Sequence, residues 1–324
     1  MDVPQAVPVS RIAIPIGDPN GIGPEIAIKT AVALRNDSRV RLTLIGPQAV
    51  MKVTAHQLAI EDFKKNLSCV FTADFSSEVH RPGVVCAQAG KVTIEAATKA
   101  IQETQSGNFD AIVAAPHHET AVHLAGIAFS GYPSLVAAVT GQPEDSVFMM
   151  LVGGNMRIVH VTLHEGVYTA LNHITQERIE RAVHAGVSAL HRLGVKQPRI
   201  GMFGINPHAG ENGLFGQEDE LISRPAAQRL REQGLNIDGP QGADTLLAAG
   251  EHDLYVAMFH DQGHIPIKLL YPHLASALSI GSDVVLSSVG HGSAMDIAGQ
   301  GIANPEAMIR TVLLLAGITN ESQV

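Results

Sequence analysis

Short apolar runs of strand length alternate with segments of helical periodicity along most of the sequence, and this alternation constrains the fold more than any other feature. Arg11 to Ile16 and Val40 to Ile45 are strand-like runs, whereas Pro24 to Leu34 and Pro47 to Leu58 repeat apolar residues at helical spacing. Strands that alternate with helices form a parallel sheet with helices on its faces. We therefore predict an α/β fold.

The alternation continues, with one interruption, to the end of the chain. The interruption is Gly153-Gly154-Asn155, which separates the strands Ser146 to Val152 and Met156 to Thr162 and predicts an antiparallel hairpin. The other predicted elements are helices at Gly90 to Ser106, Gly131 to Ser134, Gln176 to Leu193, Pro225 to Gln233 and Pro305 to Ala316, and strands at Asp110 to Ala115, Arg199 to Gly204 and Leu254 to Phe259. A chain of 324 residues exceeds one typical domain, and the antiparallel pair suggests a change of sheet, so we place a domain crossing near residue 130.

Charge and cysteine content exclude several classes of protein. A net charge of −9 without clusters of Lys and Arg argues against nucleic-acid binding. Cys69 and Cys86 have neither CxxC spacing nor enough partners for a disulfide framework. No apolar run approaches the ~18 residues that cross a membrane, and the first residues lack a signal-peptide core. We expect a cytoplasmic protein with small-molecule partners, and the 16 histidines direct attention to metal or proton chemistry.

The densest group of polar side chains is Phe259 to Lys268, which follows the strand-like run Asp253 to Met258. It combines two imidazoles, a carboxylate and a lysine. Gly263 and Pro266 predict that no helix continues through it. We therefore expect a loop beyond the carboxyl end of a strand, which is where open α/β sheets bind their ligands.

Three histidines stand just after three apolar strands: His164, His208 and His260. If those strands are neighbours, the imidazoles converge and could bind a divalent metal with positions left open for substrate. Three independent structural histidines are the alternative. His160 lies four residues before His164, and the β-branched run around it favours a strand, which makes His160 a buried or supporting residue.

Three further side chains are candidates for proton transfer. Asp244 and Asp261 could each orient a ligand histidine or move a proton, and each could instead cap a helix, with Asp244 in an N-cap pattern. Lys268 could transfer a proton near a metal or pair with a substrate carboxylate. The apolar residues around Lys268 predict a shielded position.

Two glycine-containing stretches could approach a ligand closely. His291 to Pro305 combines glycines with small residues before the last predicted helix, and is a candidate binding loop. Gly17 to Gly23 is not the GxGxxG fingerprint, so a tight connection between strand and helix explains it at least as well as phosphate binding.

The stretch from His291 to Pro305 resembles the adenosine-binding loop of 3-isopropylmalate dehydrogenases and their β-decarboxylating relatives, with the pattern HGSAxDIAGxGIANP. The resemblance implies NAD as cofactor. It places Asp296 at the ribose 2′-hydroxyl, where a carboxylate would repel the 2′-phosphate of NADP. The cofactor-binding residues that it implies are His291, Gly292, Ser293, Ala294, Asp296, Ile297 and Asn304.

Over nearly its whole length the sequence is similar to the 4-hydroxythreonine-4-phosphate dehydrogenase (PdxA) family. The shared motifs are GDP at 17–19, GIGPE at 21–25, NPHAGE at 206–211, GP at 239–240, ADT at 243–245 and AMFHDQG at 257–263. The resemblance implies a two-domain isocitrate/isopropylmalate dehydrogenase-like α/β fold with parallel and mixed sheets and an interdomain active-site cleft. The first domain would comprise 1–130 plus 287–324, with the cofactor loop, and the second 131–286, with the metal site and dimer interface.

The same resemblance implies a metal site. A divalent ion, zinc or alternatively Mg, Mn or Co, would be bound by His164, His208 and His260 at a homodimer interface, with one histidine from the partner subunit. Lys268 would contact the substrate.

The residues with which this family binds a substrate phosphate are replaced in the sequence. Tyr132-Pro133 stands in place of a His-Thr pair, Ala277 and Leu286 in place of Asn and Arg, and Glu119 in place of Lys. Each lost group would help bind an anion through hydrogen bonds worth about 1.5 to 3 kcal/mol when charge-assisted. We therefore do not expect a phosphorylated substrate.

The sequence is more similar to the branch of the family that acts on the cis-dihydrodiol of terephthalate. The similarity is carried by Pro116 to Ala121, Ala125 to Leu135, His264 to Leu270 and Val284 to His291. The implied substrate residues are Lys268, Tyr132, Ser134, His118, Ala277 and Leu286, and the implied proton-transfer candidates are Lys268, Asp244 and Asp261.

The function expected from this resemblance is NAD-linked, metal-dependent oxidation of the dihydrodiol to a β-keto acid, followed by decarboxylation to the catechol protocatechuate. The alternative is a 4-hydroxythreonine-4-phosphate or tetronate-4-phosphate dehydrogenase. A non-redox binding module is a weaker alternative, because it would leave the adenosine-type loop without a role.

Overall fold

The computed structural model describes residues 9–60, 67–73, 75–76, 79–272 and 275–317. The chain divides into two compact units, of which unit 1 is Met1–Thr140 with Asp283–Val324 and unit 2 is Gly141–Ser282. Within the described ranges, none of the helices has the length and apolar character needed to span a bilayer.

Unit 1 is built on a parallel sheet. Its strands are β1 (Ser10–Pro15), β2 (Val40–Gly46), β3 (Ser68–Phe71), β4 (Ala111–Ala114) and β11 (Leu286–Val289), in the spatial order β3-β2-β1-β4-β11. Each neighbouring pair is parallel. Its helices are α1 (Gly23–Ala33), α2 (Gln48–Gln57), α3 (Ala87–Gln105), α4 (Glu119–Leu124), α5 (Tyr132–Thr140) and α11 (Glu306–Leu315).

Unit 2 is built on a mixed sheet. Its strands are β5 (Phe148–Gly153), β6 (Met156–His160), β7 (Arg199–Phe203), β8 (Asn236–Gln241), β9 (Leu254–Ala257) and β10 (Ser276–Ile280), in the spatial order β10-β5-β6-β9-β7-β8. The hairpin strand β5 is antiparallel to both of its neighbours, and β6, β9, β7 and β8 are parallel. Its helices are α6 (Val167–His173), α7 (Gln176–Arg192), α8 (Arg224–Glu232), α9 (Ala243–Ala249) and α10 (His260–Leu270).

The first strand shows why the apolar runs predicted strands correctly. Ile12, Ala13 and Ile14 are all fully buried, so β1 is covered on both faces and reads as a continuous apolar run rather than an alternating one. Helix α1 packs Ile26 and Ile28 into the same core. The α/β fold with a parallel sheet and the antiparallel hairpin are confirmed.

The prediction that Gly263 and Pro266 exclude a helix is wrong, because α10 runs through both residues. The side chain of Gln262 starts this helix, since its Oε1 accepts hydrogen bonds from the backbone N–H groups of Met258 and Phe259. A bonded start offsets the poor helix propensity of glycine and proline.

The prediction that Asp244 caps a helix is also wrong. Helix α9 begins at Ala243 with Gly242 as its N-cap, so Asp244 lies inside the first turn. A carboxylate there still interacts favourably with the helix dipole.

A substitution at Gly17 tests how closely the connections of unit 1 pack. Gly17 has φ +71°, and a Cβ atom there would overlap the carbonyl oxygen of Pro116. We expect Gly17→Ala to lower the free energy of unfolding by about 2 to 4 kcal/mol, through left-handed backbone strain and overpacking. Urea denaturation measures this. Gly107→Ala is the matched control, because Gly107 has φ +80° with no atom within 4 Å of the added Cβ; equal losses in the two variants would contradict the close approach.

Candidate functional site

The three predicted histidines follow three adjacent parallel strands of unit 2. His164 lies after β6, His260 begins α10 directly after β9, and His208 lies after β7. Strands β6, β9 and β7 are neighbours in that order. The carboxyl ends of parallel strands meet at one edge of a sheet, so all three histidines belong to the same edge.

Side-chain hydrogen bonds connect the ends of these strands. Thr162, which is buried after β6, donates from Oγ1 to the carbonyl of Met258 at 2.6 Å. Gln262 donates from Nε2 to the carbonyl of Gly204, beyond β7, at 2.9 Å. Hydrogen bonds therefore join the segment after β9, which carries His260, to the segments after β6 and β7, which carry His164 and His208.

His164 and His260 lie close together, with ring centroids 5.4 Å apart. Nδ1 of His260 is 2.7 Å from Oδ1 of Asp261, so the carboxylate accepts its proton and fixes the ring's tautomer. This leaves Nε2 of His260 with a free lone pair. A histidine oriented by a carboxylate in this way is typical of metal ligands.

Two further imidazoles complete a cluster. The ring of His264 stacks on that of His260, with centroids 3.6 Å apart and planes 13° apart, and His160 lies 4.8 Å from His264. Burial, followed by the charge of His264, lowers the pKa of His160 well below its ordinary value. Burial and then His260 lower the pKa of His264 to about 4. Both rings are therefore neutral at pH 7.

His208 is positioned separately, by a turn with left-handed backbone. It has φ +54°, and a fully buried carboxylate, Asp219, accepts hydrogen bonds from the N–H groups of Ile205 and Asn206 just before it. His208 lines a cavity of about 520 Å³ with two arginines and the connection after β8. The lining residues are His208, Arg224, Arg231, Gly239, Pro240, Gln241, Gly242 and Thr245.

The structure thus brings two of the three predicted ligands together in one chain. In the part of the chain that the structure describes, no group of three or more His, Cys, Asp or Glu side chains is arranged to bind a metal ion. A complete three-histidine site would need a ligand from outside this cluster.

The predicted proton-transfer residues differ in their surroundings. Asp261 bonds His260, as described above. Asp244 is exposed, in the first turn of α9. The prediction that Lys268 is shielded is wrong, because Lys268, Leu269 and Leu270 are all exposed on the last turn of α10. Lys268 lies one turn after His264 and lowers its pKa.

A second edge of interest belongs to unit 1, where three connections meet. They follow β1, β4 and β11, which are adjacent parallel strands. The N–H of Asp18 donates to the carbonyl of Pro116 at 2.9 Å, and the N–H of Ile22 donates to the carbonyl of Ser293 at 2.9 Å. The Gly17 to Gly23 motif is therefore a scaffold for the other two connections.

The connections after β4 and β11 line a cavity of about 390 Å³. Its lining residues are Pro116, His117, His118, Glu119, Thr120, Ser288, Val289, His291, Gly292 and Ser293. Predicted substrate residue His118 therefore shares a cavity with predicted cofactor residues His291, Gly292 and Ser293.

Two buried polar atoms beside this cavity lack a hydrogen-bond partner among the described residues: Oδ2 of Asp18 and Nδ1 of His118. Oδ1 of Asp18 accepts from the N–H of Asn20 at 2.8 Å. Burial is the main cause that raises the pKa of Asp18 to about 6; the hydrogen bond from Asn20 and the charge of His118 oppose it.

The predicted cofactor loop is anchored to helix α1 at its far end. The buried carboxylate of Glu25 accepts hydrogen bonds from the N–H groups of Gly301 and Ala303, at 3.1 and 2.7 Å. Nζ of Lys29 donates to both carbonyls of the same two residues and pairs with Glu25 at 2.7 Å. This charged pair fixes the backbone next to Asn304.

The remaining predicted cofactor residues have mixed surroundings. Asp296 is exposed, as contact with a ribose would require. Ala294 and Ile297 pack against the core of unit 1. Oδ1 of Asn304 accepts from the N–H of Glu306 at 2.9 Å and so helps to start α11.

Several predicted substrate residues are occupied in packing. Tyr132 is buried among His117 and Phe129, with ring centroids 5.1 and 5.7 Å away, and burial raises its pKa. Ser134 donates to the carbonyl of Gly131 at 2.8 Å. Leu286 is fully buried in β11, and Ala277 is half-buried opposite Leu151 in unit 2. Their contact with substrate stays a prediction.

His264, Asp18 and His117 had no predicted role, although the structure places all three at the candidate sites. The signal for His264 was its spacing of four from His260, which places both rings on one face of a helix once α10 is recognised. Asp18 and His117 are visible only through burial, which the residue pattern around a tight turn does not reveal.

Solved structures and relatives agree with this architecture. The β-decarboxylating dehydrogenase of Thermococcus kodakarensis matches at a TM-score of 0.52 and 19% identity, covering 95% of this chain and 82% of that one, a likeness that shows the fold alone. The chain therefore has an isocitrate/isopropylmalate dehydrogenase-like α/β fold.

The family profile "Pyridoxal phosphate biosynthetic protein PdxA" matches residues 24–315. The chain belongs to the PdxA family, and it is an enzyme, an oxidoreductase. It is similar to the 1,2-dihydroxy-3,5-cyclohexadiene-1,4-dicarboxylate dehydrogenase of Comamonas sp, at 52% identity over 94% of this chain and 96% of that protein. The D-threonate 4-phosphate dehydrogenase of Cupriavidus necator is 36% identical, over 93% and 95%.

A crystal structure of a terephthalate 1,2-cis-dihydrodiol dehydrogenase from Burkholderia xenovorans LB400 matches with a TM-score of 0.75 and 43% identity. It covers 95% of this chain and 98% of that chain. The predicted membership of the PdxA family is confirmed.

The buried carboxyl of Asp18 predicts a pH-dependent loss of stability. Its pKa in the folded chain is about 6, above the ordinary 3.8, so the folded state binds more protons and its stability falls as pH rises between those values. We expect Asp18→Asn to remove this loss. Relative to the unsubstituted protein, the variant should gain up to about 3 kcal/mol on going from pH 4 to pH 7.

Denaturant unfolding across this pH range measures the effect. Asp37→Asn is the control, because Arg39 holds the pKa of Asp37 at about 2, below the range that is tested. A pH-independent difference between Asp18→Asn and the unsubstituted protein would show that Asp18 is charged throughout.

Proposed function

We propose that this enzyme oxidises and decarboxylates a cis-dihydrodiol dicarboxylate, terephthalate dihydrodiol, to protocatechuate with NAD as oxidant. Hydride leaves the secondary carbinol carbon for NAD, and the product is a ketone β to a carboxylate. Loss of that carboxylate as carbon dioxide gives the aromatic catechol directly. The observation that carries the proposal is the 52% identity to a dehydrogenase of this dihydrodiol over 94% of the chain.

The replaced phosphate-binding residues support a substrate without phosphate. Tyr132 is buried among aromatic rings, and Leu286 and Ala277 are apolar, so none of the three offers a charge to a phosphate dianion. Lys268 is an exposed cation on α10 and is the residue that we assign to a ring carboxylate.

We assign NAD to the unit 1 edge. The cavity of about 390 Å³ is lined in part by His291, Gly292 and Ser293, and the absence of a side chain at Gly292 lets a flat ligand approach. Glu25 and Lys29 hold the far end of the same loop by hydrogen bonds to its backbone. The exposed carboxylate of Asp296 would then accept from a ribose hydroxyl.

We assign a divalent metal, zinc in the first instance, to His164 and His260 of one chain with His208 of a second copy. The donor set fits, because Asp261 leaves Nε2 of His260 as a free acceptor and the two rings lie 5.4 Å apart. A cation bound there would supply Lewis-acid polarisation of substrate oxygens. Lys268, Asp244 and Asp261 are the candidates for moving protons, and of these Asp261 is already engaged in orienting His260.

Exposed apolar side chains support a homodimer that shares this site. Each predicted ligand histidine is followed closely by exposed large apolar residues, although such residues are normally buried. Val167 and Tyr168, 75% and 82% exposed, follow His164. The others are Leu214 and Phe215 after His208, and Ile265, Leu269 and Leu270 after His260. Contact with a second copy would cover them.

The cytoplasmic location and the domain limits 1–130 plus 287–324 and 131–286 stay predictions.

Dehydrogenation of a phosphorylated hydroxy acid is the second candidate. The cavity beside His208 contains Arg224 and Arg231, which suit an anion. Arg224 already pairs with Glu220, and Arg231 already donates to backbone carbonyls. Both guanidinium groups are therefore less available to bind a phosphate.

A substrate comparison tests the proposed function. Purified protein with zinc and NAD should form NADH and carbon dioxide from terephthalate dihydrodiol, and no NADH from 4-hydroxythreonine-4-phosphate or D-threonate 4-phosphate. Replacing NAD by NADP should lower kcat/KM by about 100-fold, because the 2′-phosphate of NADP would face the carboxylate of Asp296. Asp296→Asn should reduce this difference in kcat/KM between the two cofactors. Turnover of a phosphorylated substrate alone would refute the proposal.

Mixing inactive variants tests the shared site. His208→Ala and His260→Ala should each be inactive alone. When the two are co-expressed, random pairing makes half of the dimers mixed, and each mixed dimer has one intact site, so about a quarter of the activity should return. His164→Ala with His260→Ala is the control pair. It should recover no activity, because His164 and His260 of one site come from the same chain, so each site in a mixed dimer lacks one of the two. Equal failure of both pairs would contradict a site shared between copies.

A further inference from the structure

A chain of hydrogen bonds leads from the core of unit 2 to the imidazole cluster. Nδ1 of His160 lies 3.3 Å from the carbonyl oxygen of Met149 in β5. Nε2 of the same ring lies 3.2 Å from Nδ1 of His264, which is also 3.2 Å from the carbonyl oxygen of His260. His160 is 1% exposed, so this chain is closed to solvent at its inner end.

The carbonyl at the inner end fixes the proton positions along the chain. A carbonyl oxygen only accepts, so Nδ1 of His160 carries the proton, and in a neutral ring Nε2 is then an acceptor. Nδ1 of His264 must therefore donate. The carbonyl oxygen of His260 accepts from the same N–H at 3.2 Å, so two acceptors favour the Nδ1-protonated tautomer of His264.

The stacking geometry separates the roles of His260 and His264. The lone pair of an imidazole nitrogen lies in the plane of its ring, and these two planes are 13° apart at a centroid distance of 3.6 Å. Two nearly parallel stacked rings cannot both direct a lone pair to one ion at the 2.0 to 2.1 Å typical of zinc. Since His260 is the ring oriented by Asp261, His264 is the supporting ring.

The backbone of α10 is shaped for the same arrangement. A Cβ atom at Gly263 would overlap Nε2 of His160 and approach its Cε1 to 2.8 Å. Only glycine lets the imidazole of His160 reach beneath the helix to His264. The contact is thus built from β6 and from α10 together.

We propose that His160 and His264 are positioning residues for His260. The buried His160 and the carbonyl oxygen of His260 together hold His264 in its Nδ1-protonated tautomer. The fixed ring of His264, stacked on His260, holds that imidazole in the orientation in which it binds a metal. The inference rests on the proposed function only in taking His260 as a metal ligand.

Zinc affinity of the whole protein, measured by competition with a chelator, tests the proposal without substrate. Supporting partners of metal ligands typically contribute 10- to 100-fold in affinity, so His264→Leu should raise the zinc dissociation constant by about 10-fold or more. His264→Phe keeps a ring for stacking and should lose less. His184→Leu is the control, because His184 is exposed and its ring bonds the side chain of Gln233, away from the imidazole cluster.

Nuclear magnetic resonance of the imidazole nitrogens in the metal-free protein gives a second readout. It should show His264 protonated at Nδ1, and His160→Leu should lower the population of that tautomer, because only the carbonyl oxygen of His260 then accepts from Nδ1. If His264→Leu fails to fold, His264→Phe and this tautomer measurement decide the question.

The outcomes separate the two proposals. Zinc affinity within about three-fold of the unsubstituted protein in His264→Leu, together with loss of zinc in His260→Ala, would overturn the positioning role and leave the metal site intact. Unchanged zinc affinity in His260→Ala would overturn the metal assignment itself. A proton on Nε2 of His264 would refute the hydrogen-bond chain.

Discussion

Adjacent parallel strands end at the same edge of a sheet, and both candidate sites depend on this constraint. In unit 1 the strands β1, β4 and β11 deliver three connections to one edge, and in unit 2 β6, β9 and β7 do the same. The backbone groups of such connections have left the sheet ladder and need new partners. The hydrogen bonds that these backbone groups form determine which side chains come together.

Buried carboxylates provide many of the partners. Glu25 accepts from the N–H groups of Gly301 and Ala303, Asp219 from those of Ile205 and Asn206, and Asp18 from that of Asn20. Hydrogen bonds to an ionised acceptor are stronger than neutral ones, and they cost little mobility where the acceptor is already packed. Glu25 lies next to the cofactor loop and Asp219 lies next to His208. In each site a buried carboxylate thus fixes the backbone near an exposed side chain, Asp296 in one case and His208 in the other.

Strand runs buried on both faces, such as β1, could be predicted from the sequence because burial leaves an uninterrupted apolar pattern. Ser276–Ile280 and Leu286–Val289 escaped prediction because serines interrupt their apolar pattern. Helix α10 was missed for a different reason. The side chain of Gln262, which bonds the N–H groups of Met258 and Phe259, is itself held by the distant carbonyl of Gly204, and local propensity at Gly263 and Pro266 contains no trace of that bond. Tertiary contacts overrode propensity there.

The candidate site was predictable in the same partial way. The position of His164, His208 and His260 after three strands predicted a common edge only on the condition that those strands are neighbours, and the sheet order shows that they are. It was insufficient to predict side-chain direction, which at His208 depends on a left-handed turn held by Asp219. Nor could it show the stacked ring of His264, which depends on how β6 meets α10.

The contact between Gly263 and His160 also constrains how this site could diverge. Because a side chain at position 263 would occupy the space of the imidazole at 160, the two positions cannot vary independently. A lineage could acquire a larger residue at 263 only after it had replaced His160 by something smaller. The reverse change would require glycine to appear first. The order of substitution at this pair is therefore imposed by packing, whatever selection acts on the chemistry.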